Sequence, residues 1–176
     1  MLLEPRLDTF IDIETADTKP GATILSIGAV IGELGTGQVV DEFYENVEWR
    51  TATTGIDIDT MLWWSRQSEE ARHAAFMVPG APIAEVLQRL NDRCAPYKCK
   101  GYWGNGASFD ISLLEAKYDS CGILPPWHFW DIRDVRTLLD VWGGDKSSFQ
   151  FKGTKHHALD DARHEFRSVA VAWRQI

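Results

Sequence analysis

Phe10-Ile11-Asp12-Ile13-Glu14-Thr15 places two carboxylates two residues apart inside an apolar, β-branched run. Residues i and i+2 of a strand project to one side, so Asp12 and Glu14 converge while Ile11 and Ile13 face packed apolar surface on the other. Like charges held together repel, and burying either carboxylate alone drives it towards neutrality, so the arrangement asks for a cation. Hard oxygen ligands of this kind suit Mg²⁺ or Mn²⁺. On this stretch alone an edge strand with a solvated acidic face remains open, because Asp is disfavoured in strands, not excluded.

The chain around it is 176 residues long, enough for one compact domain, here taken as residues 1–176, and short for two. Hydrophobic residues make up 44% and charged residues 25%, which argues for a globular fold and against disorder. No run approaches the roughly 18 apolar residues that span a bilayer, and Met1 to Arg6 does not begin a signal peptide. The expectation is a soluble cytoplasmic protein with no membrane partner. Cys94, Cys99 and Cys121 are odd in number and irregular in spacing, which speaks against a disulfide framework and against a zinc site. The formal charge of −8 is the main objection to a nucleic-acid function. Its distribution softens that objection: residues 131–164 balance 6 Lys/Arg against 6 Asp/Glu, whereas residues 1–130 hold 10 against 19. A site that fills with divalent cations also reverses its local sign.

Outward from the first strand, Lys19-Pro20-Gly21 reads as a turn, Ala22 to Ile31 as a second strand and Val39 to Val47 as a third, an antiparallel meander. Asp59 or Thr60 caps a short helix carrying Met61 to Trp64, and Ser68 caps another through Phe76. Ile83, Val86, Leu87 and Leu90 keep helical spacing up to Pro96. Lys100 to Gly104 is a short strand, and Ser108 is placed to cap a helix through Asp119, with Asp110 in its first turn and Gly122 ending it. Phe129 to Asp131 reads as a brief strand, Ile132 to Trp142 as a helix, and Gly143 to Gly153 as a mobile loop. The last helix, from about Leu159, lines up Leu159, Ala162, Phe166, Val169, Ala170 and Trp173 on one stripe. Strands first, then helices alternating with short strands, give an α/β mixed sheet flanked by helices.

The tail Lys155-His156-His157-Ala158-Leu159-Asp160-Asp161-Ala162 supplies a second cluster. His156 lies five residues before Asp161, too far round a helix to share its face, so it fits the loop leading into the helix with Asp161 in the first turn. Asp12-Ile13-Glu14, then Asp110, then His156 to Asp161 closely resembles the DEDDh (DnaQ-like) signature. That superfamily comprises 3′-to-5′ exonucleases such as polymerase proofreading subunits, oligoribonuclease and ribonuclease T. The text of Ile24 to Val30, Trp63 to Gln67, Trp103 to Asp110 and Arg133 to Thr137 looks like its bacteriophage exonuclease branch, to which the mycobacterial exoribonuclease group is related. The resemblance covers nearly the whole chain.

It implies a ribonuclease-H-like fold and single-stranded DNA or RNA 3′ ends as substrate. It also implies two divalent ions, Mg²⁺ or Mn²⁺, about 3.5 to 4 Å apart, one activating the attacking water and one stabilising the leaving 3′ oxygen. Asp12, Glu14, Asp110 and Asp161 would be the metal ligands and His156 the general base, releasing nucleoside 5′-monophosphates. His157 is the competing base, and Asp160 is given no catalytic role. Ile13, Thr15, Trp64, Asn105 and Gly106 are the substrate-binding candidates; Trp63 and Trp64 point about 100° apart on a helix, so at most one faces substrate. Arg133 and Arg136 either reach a phosphate or pair with Asp134 and Asp140 on their own helix. A non-catalytic nucleic-acid-binding module and an endonuclease on the same scaffold are the alternatives. The sequence leaves the oligomeric state open, a homodimer included.

Overall fold

A computed structural model describes residues 6–176; the reading that Met1 to Arg6 does not begin a signal peptide lies, but for Arg6, outside the described residues. Strands β1 (Leu7–Thr15), β2 (Ile24–Glu33) and β3 (Gln38–Asn46) form the expected antiparallel meander. Helices α1 (Ile58–Trp64), α2 (Glu69–Phe76) and α3 (Ile83–Cys94) follow. Then come β4 (Tyr102–Gly104), α4 (Asp110–Cys121), β5 (Ile132–Asp134), α5 (Val135–Trp142) and α6 (Ala158–Trp173). The sheet runs β3-β2-β1-β4-β5, with β4 parallel to both β1 and β5. This is the mixed α/β sheet flanked by helices that the sequence pattern predicts.

β1 is the central strand, and the alternation of its side chains decides where everything else sits. Ile11 and Ile13 face one side, packing with Val86, Leu87 and Leu90 of α3 and Ile111 and Leu114 of α4. Phe10 faces the other, stacked on Trp103 and packed with Val135 and Leu139 of α5 and Phe166 and Val169 of α6. Asp12 and Glu14 share the Phe10 side by strand periodicity, which is the side α6 covers. β4 pairs with β1 only at Thr9 and Phe10. Beyond Phe10 that edge of β1 has no strand partner among the described residues, and the two carboxylates stand where the parallel strands end, the usual place for a site in such sheets.

Several local expectations are corrected by the side chains. Asp57, not Asp59 or Thr60, caps α1, its Oδ2 accepting from the Thr60 amide at 3.0 Å. Ser68 does cap α2, accepting from Ala71 N. Ser108 makes no cap; α4 follows Phe109 without a side-chain capping bond and begins at Asp110. Phe129–Asp131 is a 3-10 turn, the strand comes after it, and α5 starts at Val135 because Asp134 caps it through Thr137 N at 2.8 Å. The Asp134 carboxylate is thereby used, and among the described residues neither Arg133 nor Arg136 pairs with Asp134 or Asp140. Arg133 instead donates to the carbonyls of Trp130 and Ile132. The 143–153 loop contains a 3-10 turn, Lys146–Ser148, tied to α6. No helix among the described residues is long and apolar enough to cross a membrane.

Candidate active site

The four carboxylates of the motif come from three elements. Asp12 and Glu14 are on β1, Asp110 is the first residue of α4, and Asp161 lies in the first turn of α6. One close approach puts α6 there. Gly28 is opposite Asp12 in the β1–β2 register, and the backbone of Ala158 and Leu159 rests directly on it. A Cβ at Gly28 would lie 2.3 Å from Ala158 C, so the helix start touches the sheet only because residue 28 has no side chain. On the other side, the turn leading to Asp110 is held by Asp134, whose Oδ2 accepts from Gly106 N and Ala107 N at 3.1 and 2.7 Å. Gly106 has φ +102°, a conformation few L residues adopt, and the Arg136 guanidinium lies where its side chain would be.

Ligand-type atoms of Glu14, His156 and Asp161 lie within 4.8 Å of one another. His156 precedes α6 in the left-handed region, φ +62°, and its amide donates to Asp161 Oδ2 at 2.8 Å. Its ring stands edge-on to Trp63, centroids 4.7 Å apart. His157 is turned away: its ring stacks on Tyr44 of β3 at 4.3 Å. Asp160 accepts from Thr154 N and from Arg163, bracing the loop before the helix.

The electrostatics of the cluster are those of charge without enough compensation. Burial raises Asp12 well above the usual carboxylate range, and Glu165, Asp110, Glu14 and Asp161 raise it further. Glu14 is raised in the same way by burial, Asp161 and Asp110. Burial lifts Asp110 to about 7 against the opposing pull of the Ile13 amide, Lys146 and Arg136. Asp161 is raised by burial, with Lys146 and the His156 amide pulling it back. Burial lowers His156, which favours a neutral imidazole at neutral pH. A set of carboxylates with one imidazole, each acid raised by burial, fits hard divalent cations.

The substrate-binding candidates divide between two cavities flanking this cluster. Ile13, Thr15 and Trp64 line one of about 540 Å³, bounded also by Glu14, Trp63 and Phe109. Trp64 is core, only 2% exposed, donating through Nε1 to the Thr15 carbonyl, whereas Trp63 is 41% exposed and presents its ring. Asn105 lines the second cavity, of about 670 Å³, with Arg136 and Lys146. Gly106 shapes the turn beside it. Sequence reasoning missed Glu165, fully buried and raised to about 8 by burial and its acidic neighbours, and the Lys146 ammonium 3.0 Å from it. The signal was available: Glu165 follows Asp161 by one helical turn, so the two share a face.

Fold and site together define a ribonuclease-H-like 3′-5′ exonuclease of the DEDDh superfamily. The chain belongs to the 3′-5′ exoribonuclease Rv2179c-like domain family, whose model matches residues 8–173. It is 28% identical over 165 residues to an exodeoxyribonuclease of Enterobacteria phage T4, covering 76% of this chain and 71% of that one. It is 27% identical to the 3′-5′ exonuclease eri1 of Schizosaccharomyces pombe, over 83% of this chain and 59% of that longer protein. Among solved structures, the nuclease domain of 3′hExo, a DEDDh family member bound to rAMP, aligns over 98% of this chain and 94% of that one, with TM-score 0.63 and 14% identity. E. coli exonuclease I in complex with a dT13 oligonucleotide aligns with TM-score 0.65 and 12% identity over 94% of this chain and 40% of its own. Family membership sets aside the binding-module alternative.

Proposed function

We propose that this one domain removes nucleotides from the 3′ ends of single-stranded nucleic acid and releases nucleoside 5′-monophosphates. The observation that carries this reading is the buried, under-compensated carboxylate cluster with a neutral imidazole beside it. Asp12, Glu14, Asp110 and Asp161 would hold two divalent cations, Mg²⁺ or Mn²⁺. Bound there, such ions supply Lewis acidity at the scissile phosphate and lower the pKa of water.

The remaining work falls to the chain itself. His156, within reach of Glu14 and Asp161, takes the proton from the attacking water; its lowered pKa keeps it a base at neutral pH. The 540 Å³ cavity suits one terminal nucleoside, with Trp63 offering a ring for the base and the backbone of Ile13 and Thr15 forming the floor. The relatives' names, an exodeoxyribonuclease for the phage enzyme and an exoribonuclease for the family, leave both sugars within this reading.

The test is direct. 5′-labelled RNA and DNA oligonucleotides incubated with Mg²⁺ or Mn²⁺ should shorten to a ladder from the 3′ end, and EDTA should stop the shortening. Full activity in EDTA sinks the metal assignment. Cleavage that starts in the interior sinks the exonuclease reading.

A further inference from the structure

Glu165 and Lys146 are not part of the motif that defines the superfamily, yet they stand against it. Glu165 has no exposed surface, its Oε1 accepts from Lys146 Nζ at 3.0 Å, and its Oε2 is buried without a hydrogen-bond partner. Burying a carboxyl group against an ammonium is expensive wherever the proton sits, and packing alone is served as well by apolar side chains of similar volume. Lys146 is held a second time through its carbonyl, 3.2 Å from His164 Nε2. Its side chain keeps 26% of its surface open, and that surface lines the 670 Å³ cavity. An ammonium carries three N–H donors; Glu165 takes one. The charge reaches the cluster, where it opposes the rise that burial imposes on Asp110 and Asp161.

The same cavity contains a second cation and an unused acceptor. Arg136 has no ion-pair partner among the described residues, and its guanidinium lies over Gly106. Asn105 Oδ1 is buried and unbonded. Two acids also line the cavity: Asp145, whose carboxylate caps the 146–148 turn through Ser147 N, and Asp140, which is solvent-exposed. Of the charged groups on this cavity, Asp145 is engaged by its own turn, which leaves Lys146 and Arg136 as two cations with donors to offer.

We propose that Glu165 is a positioning residue that fixes Lys146 at the edge of the carboxylate site, where the ammonium, with Arg136 opposite, binds the backbone phosphate immediately upstream of the scissile bond. This rests on the nuclease reading above. The terminal nucleoside occupies the Trp63 cavity, the scissile phosphate lies over the carboxylates, and the strand leaves through the Asn105–Arg136–Lys146 cavity.

The experiment compares an oligonucleotide with one carrying a neutral methylphosphonate at the first linkage upstream of the scissile one. KM for single-nucleotide release is measured, with binding by fluorescence anisotropy in EDTA as a second readout. A charge-assisted contact predicts that wild type penalises the neutral linkage by about ten- to a hundredfold. Lys146→Met and Glu165→Gln should shrink that penalty towards one, and Lys146→Arg should restore part of it. Because the readout is a ratio within each variant, partial loss of fold does not imitate it. If wild type shortens the natural strand but tolerates the neutral linkage, this inference falls alone. An undiminished penalty in Lys146→Met also overturns it, and leaves the pair as counter-charge for the acids. If wild type shortens no strand, the nuclease reading falls and takes this inference with it.

Discussion

Gly28→Ala is the smallest substitution that should disable the site without touching a reacting group. Gly28 pairs with Asp12 across β1 and β2, and the Cβ of alanine would lie 2.3 Å from Ala158 C and Leu159 N and 2.5 Å from Ala158 O. All three are backbone atoms, so no side chain can swing aside. Ordinary contact begins near 3.4 Å, so the start of α6 must lift from the sheet by more than 1 Å. His156 and Asp161 travel with it, because the His156 amide is bonded to Asp161, while Asp12 and Glu14 stay on β1. Overpacking of this sort costs about 1–3 kcal/mol. In a chain of this size that lowers Tm by roughly 2–12 °C, at about 2–4 °C per kcal/mol. A displacement of about 1 Å in a catalytic constellation costs on the order of 10²-fold in rate. Calorimetry and 3′-end release measured well below Tm read the two effects separately. Gly35→Ala is the control, since its nearest neighbour is a flexible carboxylate at 3.8 Å. Wild-type turnover and Tm in Gly28→Ala would refute the claim that this contact sets the site.

The raised carboxylates make a pH prediction for the metal-free protein. Asp110 near 7 and Glu165 near 8 keep protons in the folded state that the unfolded chain releases around pH 4. Stability in EDTA should therefore fall as pH rises from 5 to 8, and Mg²⁺ or Mn²⁺ should flatten the slope and raise Tm. A metal-free Tm that climbs over that range counts against the crowding. For the histidines, His156→Ala should lose about 10²- to 10⁴-fold in turnover while metal still raises Tm. His157→Ala should mainly cost stability through its stack on Tyr44, and the reverse pattern would reassign the base. Trp64→Ala should destabilise the fold by about 3–5 kcal/mol. Trp63→Ala should leave Tm nearly unchanged and raise KM in line with a lost stack of about 1–3 kcal/mol; an unchanged KM empties that cavity of its base.

The sequence by itself carried the strand periodicity that sets Asp12 and Glu14 on one face of β1 and Ile11 and Ile13 on the other. It also carried the order of strands and helices and the His156–Asp161 spacing, because these depend on local backbone geometry that repeats along the chain. What it misplaced were boundaries where one polar residue competes with a neighbour for a few backbone amides: Asp57 over Asp59, and Asp134 over Ser108 in organising the turns beside the site. Tertiary structure alone decided which tryptophan is core and which faces the cavity, since adjacent helical residues differ only in what packs against them. Only the packed chain sets His157 on Tyr44 and leaves His156 at the carboxylates. Glu165 and Lys146 lie 19 residues apart and have nothing in their spacing to join them until α6 docks over Gly28 and takes Glu165 out of water. Docking of that kind is a long-range steric event, and nothing in the local spacing of charges encodes it.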